Sequence, residues 1–286
     1  MPHTISGALS EVALLAHLQD LQWTELGRLT GCPASRLLDA SGREVYASIY
    51  FVDVDGLPEA GLRAFRPDDE LEVQSALGRF GQTMLEVEHV LAHCDAATAS
   101  PAAISPSAFR VRLSNVLVAL GSGPDDLRIS TPTNAQLEAV PPLPMQPESY
   151  RLVREAQVRG AFFQPPAGVQ PLWARSHVAT IPINPDRDLN GVGLLYFANY
   201  VAFLDAAERA ALEGAAGFAA AALDGRVTVR RRIGFYGNAR GSDTLLVEVD
   251  AFSLDGGRLL VNHRVRRRSD DRLIAIASAE RRLAKT

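Results

Sequence analysis

The stretch Asp186-Arg-Asp-Leu-Asn-Gly-Val-Gly-Leu-Leu-Tyr-Phe-Ala-Asn-Tyr-Val-Ala-Phe-Leu-Asp205 decides how the rest of the chain is read. It opens as a polar turn, passes two glycines and runs into an apolar segment. There Tyr196, Tyr200, Phe203, Leu204 and Ala207 recur at helical spacing. Asp205, Glu208 and Arg209 interrupt the apolar run, so the segment reads as an amphipathic core helix, over 194–223, and not as a membrane span. A strand-like segment at 177–183 precedes it. Strand-like segments follow at 226–236, 244–253, 258–268 and 273–283. A long helix placed after the first strand of an antiparallel sheet is the element order of a hotdog domain.

The upstream half repeats that order. A short strand is expected at 1–5. Ser10 is a good N-cap for a helix from Glu11 to about Thr30, whose apolar stripe is Val12, Leu15, Leu18, Leu21 (or Gln22), Leu26 and Leu29. Gly31 and Pro33 end it. Strands are expected at 35–38 and 44–54. On the second, Val45, Ala47, Ile49 and Phe51 share one face, and Tyr46, Ser48 and Tyr50 the other. Segments 70–80 and 83–91 read as a hairpin around Gly81-Gln82, and 110–120 as a further strand. The common order implies an internal duplication of about 150 residues. The expected fold is α+β, a double hotdog: two antiparallel sheets, each wrapping a long central helix. Residues 1–130 would form the first unit, 131–170 a proline-rich linker with a short helix, and 171–286 the second unit. Single hotdogs pair, and the duplication would supply that pair within one chain; a further homodimer is compatible with it.

Of 286 residues, 47% are hydrophobic and 22% charged, an ordinary globular balance. The net charge of −4 provides no global attraction for nucleic acid. The two cysteines, Cys32 and Cys94, are far apart and make no disulfide framework, which suits a reducing compartment. No basic segment followed by an apolar block opens the sequence, so a cytoplasmic location is expected.

Two resemblances bear on chemistry. The segment from Asp188 to Tyr200 is similar to the helix entry of 4-hydroxybenzoyl-CoA thioesterase-type hotdog proteins, with the pattern Asp-x-Asp-x-x-Gly-(apolar)2-aromatic-x-x-Asn-Tyr. It matches at Asp188, Gly193, Tyr196, Asn199 and Tyr200. It departs at Asn190, where the pattern has the carboxylate that is catalytic in the thioesterases. A second resemblance covers most of the chain. Met1-Pro-His-Thr4, Gly7-Ala-Leu-Ser-Glu11, Asp20-Leu-Gln-Trp23, Val45-Tyr-Ala-Ser48, Phe65-Arg-Pro-Asp-Asp69 and Asp188-Leu-Asn-Gly191 occur in the order found in double-hotdog proteins of the LnmK type. That resemblance implies a bifunctional acyltransferase/decarboxylase of polyketide-type secondary metabolism. Its substrates would be methylmalonyl-CoA or malonyl-CoA and an acyl carrier protein, with no metal or redox cofactor.

The turn from Asn190 to Gly193 is the first candidate site. Unpaired N–H groups and the helix dipole would polarise a thioester carbonyl there and hold an enolate or oxyanion. Asn190 can donate a hydrogen bond but cannot act as a base, which disfavours simple hydrolysis and suits decarboxylation. Asp188, Gly191, Val192 and Tyr196 would line the substrate path around it; an ordinary helix-capping turn is the plainer alternative. The resemblance implies a functional tyrosine on the Val-Tyr-Ala-Ser strand, here Tyr46, with Ser48 beside it. Tyr46 would accept the acyl group or donate a proton, and the plainer alternative is a half-buried strand aromatic. By the duplication, His3 and Thr4 would approach the first helix. Arg230 and Arg232 share a strand face with Thr228 and could meet CoA phosphates or an acidic carrier protein, unless they pair with carboxylates across the sheet. His89 and His93 lie on a strand and lack the partners of a metal site. A hotdog thioesterase or dehydratase is the nearest alternative function, with Glu11 or Asp188 as the required carboxylate. A non-catalytic carrier-binding module is another.

Overall fold

The computed structural model describes residues 4–5, 8–55, 60–66, 68–94, 108–121, 126–215 and 218–283. A two-stranded hairpin, β1 (Thr4–Ile5) and β2 (Ala8–Leu9), leads into helix α1 (Glu11–Thr30). The Ser10 hydroxyl accepts from the Ala13 N–H at 3.3 Å, and Glu11 sits in the first turn against the helix dipole. Gly31 ends the helix in the left-handed region (φ 71°), its N–H donating to Gly27 O. The buried stripe is Leu14, Leu15, Leu18 and Leu26, with Gln19 and Gln22 buried beside it.

Strands β3 (Val45–Asp55), β4 (Leu71–Phe80), β5 (Met84–His93), β6 (Phe109–Leu120) and β7 (Leu127–Ile129) complete the first half. The expected strand at 35–38 is instead a 3-10 turn, Ala34–Arg36, with one bridge from Leu38 to Glu44. Pro33 starts that turn, and Asn134 occupies the backbone groups of Leu38 and Arg36 that a strand would have paired. The second half has helix α2 (Glu148–Arg159), strand β8 (His177–Pro182), a short helix α3 (Pro185–Asp188), and helices α4 (Tyr200–Ala215) and α5 (Ala220–Asp224). Strands β9 (Val227–Phe235), β10 (Thr244–Leu254), β11 (Arg258–Arg267) and β12 (Arg272–Arg282) follow.

The two expected sheets are continuous. Their order is β4-β5-β6-β3-β9-β12-β11-β10-β8, and β7 pairs with β6. The halves join where β3 meets β9 antiparallel, from Phe51 opposite Gly234 to Val54 opposite Arg231. Each joining strand carries a bulge. Tyr50 is skipped opposite β6 and Val229 opposite β12. Each bulge lies three residues before the facing pair Asp53 and Arg232, so an approximate twofold axis passes through that pair. Helices α1 and α4 share one core under the sheet, with Leu15, Leu18, Tyr200 and Leu204 packed against Ile49, Val52 and Ile233. The opposite face receives α2 and the chain after it: Tyr50 Oη is 2.8 Å from Ser149 Oγ, and Phe51 meets Phe162.

Among the described residues the two halves differ at one edge. β8 pairs with β10, whereas the described part of the strand expected at 1–5, Thr4–Ile5, pairs with β2; residues 1–3 lie outside the described residues. The segment after β7 straps the open edge of β4. Arg79 N–H donates to Pro141 O at 2.9 Å, and Leu143 N–H donates to Arg79 O at 2.7 Å.

An ion cluster sits where the helices cross β9 and β12. Arg231 pairs with Glu11 and Asp205 at 2.8 Å each, Arg281 with Asp205 and Glu208, and Arg226 with Glu208 at 3.1 Å. Arg231 and Glu208 are fully buried. Three carboxylates face three guanidiniums, the arrangement in which buried charges are tolerated.

Candidate active site

The turn at Asn190 is built from its own side chain. Leu189 bridges to Leu195 as a miniature antiparallel pair, and Gly193 (φ 76°) takes the left-handed conformation that closes it. Asn190 N–H donates to Leu194 O at 2.8 Å, and Gly193 N–H to Asn190 O at 3.0 Å. The side-chain oxygen of Asn190 accepts from the N–H groups of Val192 (3.2 Å) and Leu194 (2.9 Å). Only the oxygen of an amide can accept, so those contacts orient the group. Its Nδ2 therefore points the other way, and donates to the Tyr46 hydroxyl at 3.1 Å.

This differs from the expected helix start. A 3-10 turn, Phe197–Asn199, intervenes, and α4 begins at Tyr200. The N–H groups of Val192 and Gly193 are used inside the turn, so they do not form the expected oxyanion hole. Gly193 shapes the turn and lines neither cavity described below. What remains at the site is the Asn190 amide and the Tyr46 phenol.

Tyr46 projects from β3 of the other half. Its hydroxyl also hydrogen-bonds the side chain of Gln19 on α1, and its ring meets Trp23 edge-on at 5.8 Å. Burial pushes the phenol above its ordinary range, against the hydrogen bonds of Asn190 and Gln19 that favour ionisation. Tyr46 is thus a neutral phenol at neutral pH. Its oxygen accepts from Asn190, which leaves its proton to be donated elsewhere.

Two cavities meet at this constriction, and Gln19, Tyr46 and Asn190 line both. One, of about 300 Å³, runs between β3, β6, β7 and the chain after β9, past Ser48, Tyr50, Tyr200, Asn238 and Arg272. The other, of about 500 Å³, lies against α1 and holds Asp20, Trp23, Glu44, Gly191, Val192 and Tyr196. Burial, then the Asp20 charge and Tyr46, raise the Tyr196 phenol to about 12.

The site therefore gathers Tyr46, Ser48, Asn190, Gly191, Val192 and Tyr196 from the expected residues. Asp188 is elsewhere: it is buried, paired with Arg187 at 2.6 Å, and accepts from the Asn184 N–H. Arg230 and Arg232 are also elsewhere. Arg230 pairs with Glu280 and Arg232 with Asp53, and both stack on Phe163. The two arginines offered for phosphates or a carrier protein are thus paired with carboxylates of the sheet. Glu11, the other carboxylate considered, belongs to the ion cluster. Thr4 lies in β1, and His3 lies outside the described residues. Among the described residues, no cluster of three or more His, Cys, Asp or Glu side chains could hold a metal, and no helix is long and apolar enough to cross a membrane. Sequence reasoning missed Gln19, Trp23, Asn238 and Arg272. Gln19 carried a signal: a polar residue next to Leu18 within the buried stripe of α1.

No protein-family model matches the chain, and no curated protein matches it in sequence. Solved structures do match along nearly its whole length. A structure described as an oleoyl thioesterase from Lactobacillus plantarum is 11% identical, has a TM-score of 0.66, and is matched over 98% of this chain and 91% of that one. The fold is a double hotdog. An acyl-ACP thioesterase from Bacteroides thetaiotaomicron (11% identity, TM-score 0.60, 98% and 93% covered) is similar in the same way. So is the 12:0-ACP thioesterase from Umbellularia californica (14% identity, TM-score 0.60, 99% and 94% covered). In this double hotdog, the site lies where the second half's turn faces β3 and α1 of the first.

Proposed function

We propose that this double hotdog is an enzyme that processes acyl thioesters, decarboxylating a malonyl- or methylmalonyl-CoA thioester and passing the acyl group to an acyl carrier protein. The observation that carries the reading is the oriented pair at the constriction: the Asn190 NH2 on the Tyr46 oxygen, with the phenol proton free. Decarboxylation breaks the bond between the α-carbon and the carboxyl group. CO2 leaves, and the bond pair moves into the thioester as an enolate. A neutral phenol and an amide are donors to that enolate oxygen, and neither adds negative charge beside the departing carboxylate. Tyr46 then supplies the α-carbon proton directly or through the enol, and its phenolate takes a proton back from solvent. Transfer follows when the carrier thiol adds to the thioester carbonyl and CoA leaves as the thiol. A raised phenol pKa opposes the alternative role of Tyr46 as the acyl acceptor, which would need the phenolate.

Hydrolysis is the second reading. It is favoured by the likeness of fold to acyl-ACP thioesterases, and by Asp20 and Glu44 on the larger cavity, either of which could activate water. Mass spectrometry after incubation with malonyl-CoA and methylmalonyl-CoA, with and without a carrier protein, separates the two. Acetyl or propionyl thioesters on CoA or carrier support decarboxylation, and their absence overturns it. Free acid with CoA release supports hydrolysis.

A further inference from the structure

Both cavities are walled largely by apolar side chains, Ile49, Val116, Val118 and Phe235 among them in the first; they differ in charge, and that difference has a direction. Arg272, which also lies in the field of the Asp270 carboxylate, is the one cation lining either of them. It lies at an exposed position beside Gly237, where a Cβ would stand 3.4 Å from its Nε. Near it, the Asn238 oxygen accepts from the N–H groups of Leu195 (2.9 Å) and Ala239 (2.7 Å), which leaves its NH2 for other acceptors. Ser48 adds a hydroxyl to the same cavity. The cavity on α1 is the opposite. Its charges are Asp20 and Glu44, and the Asp20 field reaches Tyr196 in its wall. Trp23, Val45, Leu120 and Leu189 make it mainly apolar, and past Ala34 and Ser35 it continues into a groove over Gly27 and Gly31.

A CoA or carrier thioester has matching ends: anionic phosphate, then an arm with amides, then an acyl group. We infer that the substrate threads the site in one direction, its phosphate-bearing arm entering past Arg272 and Asn238 and its acyl group lying in the Trp23 cavity beyond the Tyr46–Asn190 pair. Phosphate at the Arg272 mouth gains a charge-assisted contact, whereas at the Asp20 and Glu44 mouth it meets like charge. The inference rests on the acyl-thioester reading above and fixes which wall selects the acyl chain.

Calorimetric titration tests it with CoA, pantetheine and the inert thioethers S-ethyl-CoA and S-octyl-CoA. Circular dichroism would check that each variant folds. Arg272→Glu is expected to weaken CoA by about tenfold or more, the scale of a charged hydrogen bond, and to leave pantetheine unchanged. Ser35→Trp, which narrows the far cavity at an exposed position, is expected to abolish the extra affinity of S-octyl-CoA over S-ethyl-CoA and to spare CoA. If Ser35→Trp weakens CoA and Arg272→Glu removes the chain-length increment, the direction is reversed and the inference falls while the acyl-thioester reading stands. If CoA binds and neither variant changes any titration, it falls in the same way. A wild-type protein that binds neither CoA nor the thioethers overturns both.

Discussion

Asn190 makes five hydrogen bonds, four within its own turn and one to Tyr46. An aspartate there could still accept from Val192 and Leu194, and would accept from the Tyr46 hydroxyl in place of donating to it. Asn190→Asp is therefore expected to fold normally and to place a base beside the thioester. Mass spectrometry should then find free acid where the wild-type protein yields the decarboxylated thioester; an unchanged product would remove Asn190 from the chemistry. Tyr46→Phe should slow decarboxylation by about a hundredfold, the lower range for a positioned proton donor. Because the phenol pKa is raised, the donor stays protonated beyond its ordinary range. At about pH 10, where an unperturbed tyrosine would be half ionised, the rate should therefore keep more than half of the part that depends on Tyr46. Tyr46 and Asn190 were legible in the sequence because motif residues carry them. The arginines misled because alternation along a strand shows that Arg230 and Arg232 share a face, but not whether that face meets a cavity or, as here, Phe163.

Among the elements, α1 was legible from end to end, since its signals are local: Ser10 caps one end and Gly31 the other. Gly31→Ala forces a side chain into a left-handed position and should cost about 1 kcal/mol, seen as a fall of a few degrees in melting temperature. The second helix was read as starting at 194 because the apolar spacing is already helical there. What delays it to Tyr200 is not the local spacing. Leu194 O accepts from the Asn190 N–H, Leu195 bridges to Leu189, and Asn238, beyond β9, and Asp188 O hold the Leu195 and Tyr196 N–H groups, so 194–196 stay extended (φ −70°, ψ 125° at Tyr196). Tertiary contacts of that kind have no periodic signature. The same holds for 35–38, where Asn134, far along the chain, decides the conformation.

At the scale of the whole molecule, the duplication was visible in element order, whereas the continuity of the sheet and the bulges about Asp53 and Arg232 needed three-dimensional pairing. The ion cluster ties both helices to both central strands. Removing one member leaves buried charge unpaired, so Arg231→Met should destabilise the protein by about 3 kcal/mol or more in chemical denaturation. Two buried histidines set an acid limit. Burial, then the neighbouring His17, lowers His89 to about 4; burial, then Arg231 and Arg281, lowers His263 to about 3. The unfolded chain binds protons at these side chains below about pH 6.5, and the folded one does not. Stability is therefore full above that pH and falls as the pH drops toward 4. Urea midpoints at pH 7.5, 6 and 5 should decrease in that order.

The strap on β4 matters beyond the fold of one molecule. An open sheet edge is a template on which another chain can add a strand. Here the covering segment carries Pro141, Pro142 and Pro144, which have no N–H to offer an incoming strand. The β4 edge of the first half is thereby protected from propagating as an assembly of stacked copies. Cutting the chain between Pro142 and Leu143 should leave the site residues in place yet turn a well-behaved solute into one that self-associates with concentration, a change light scattering would register.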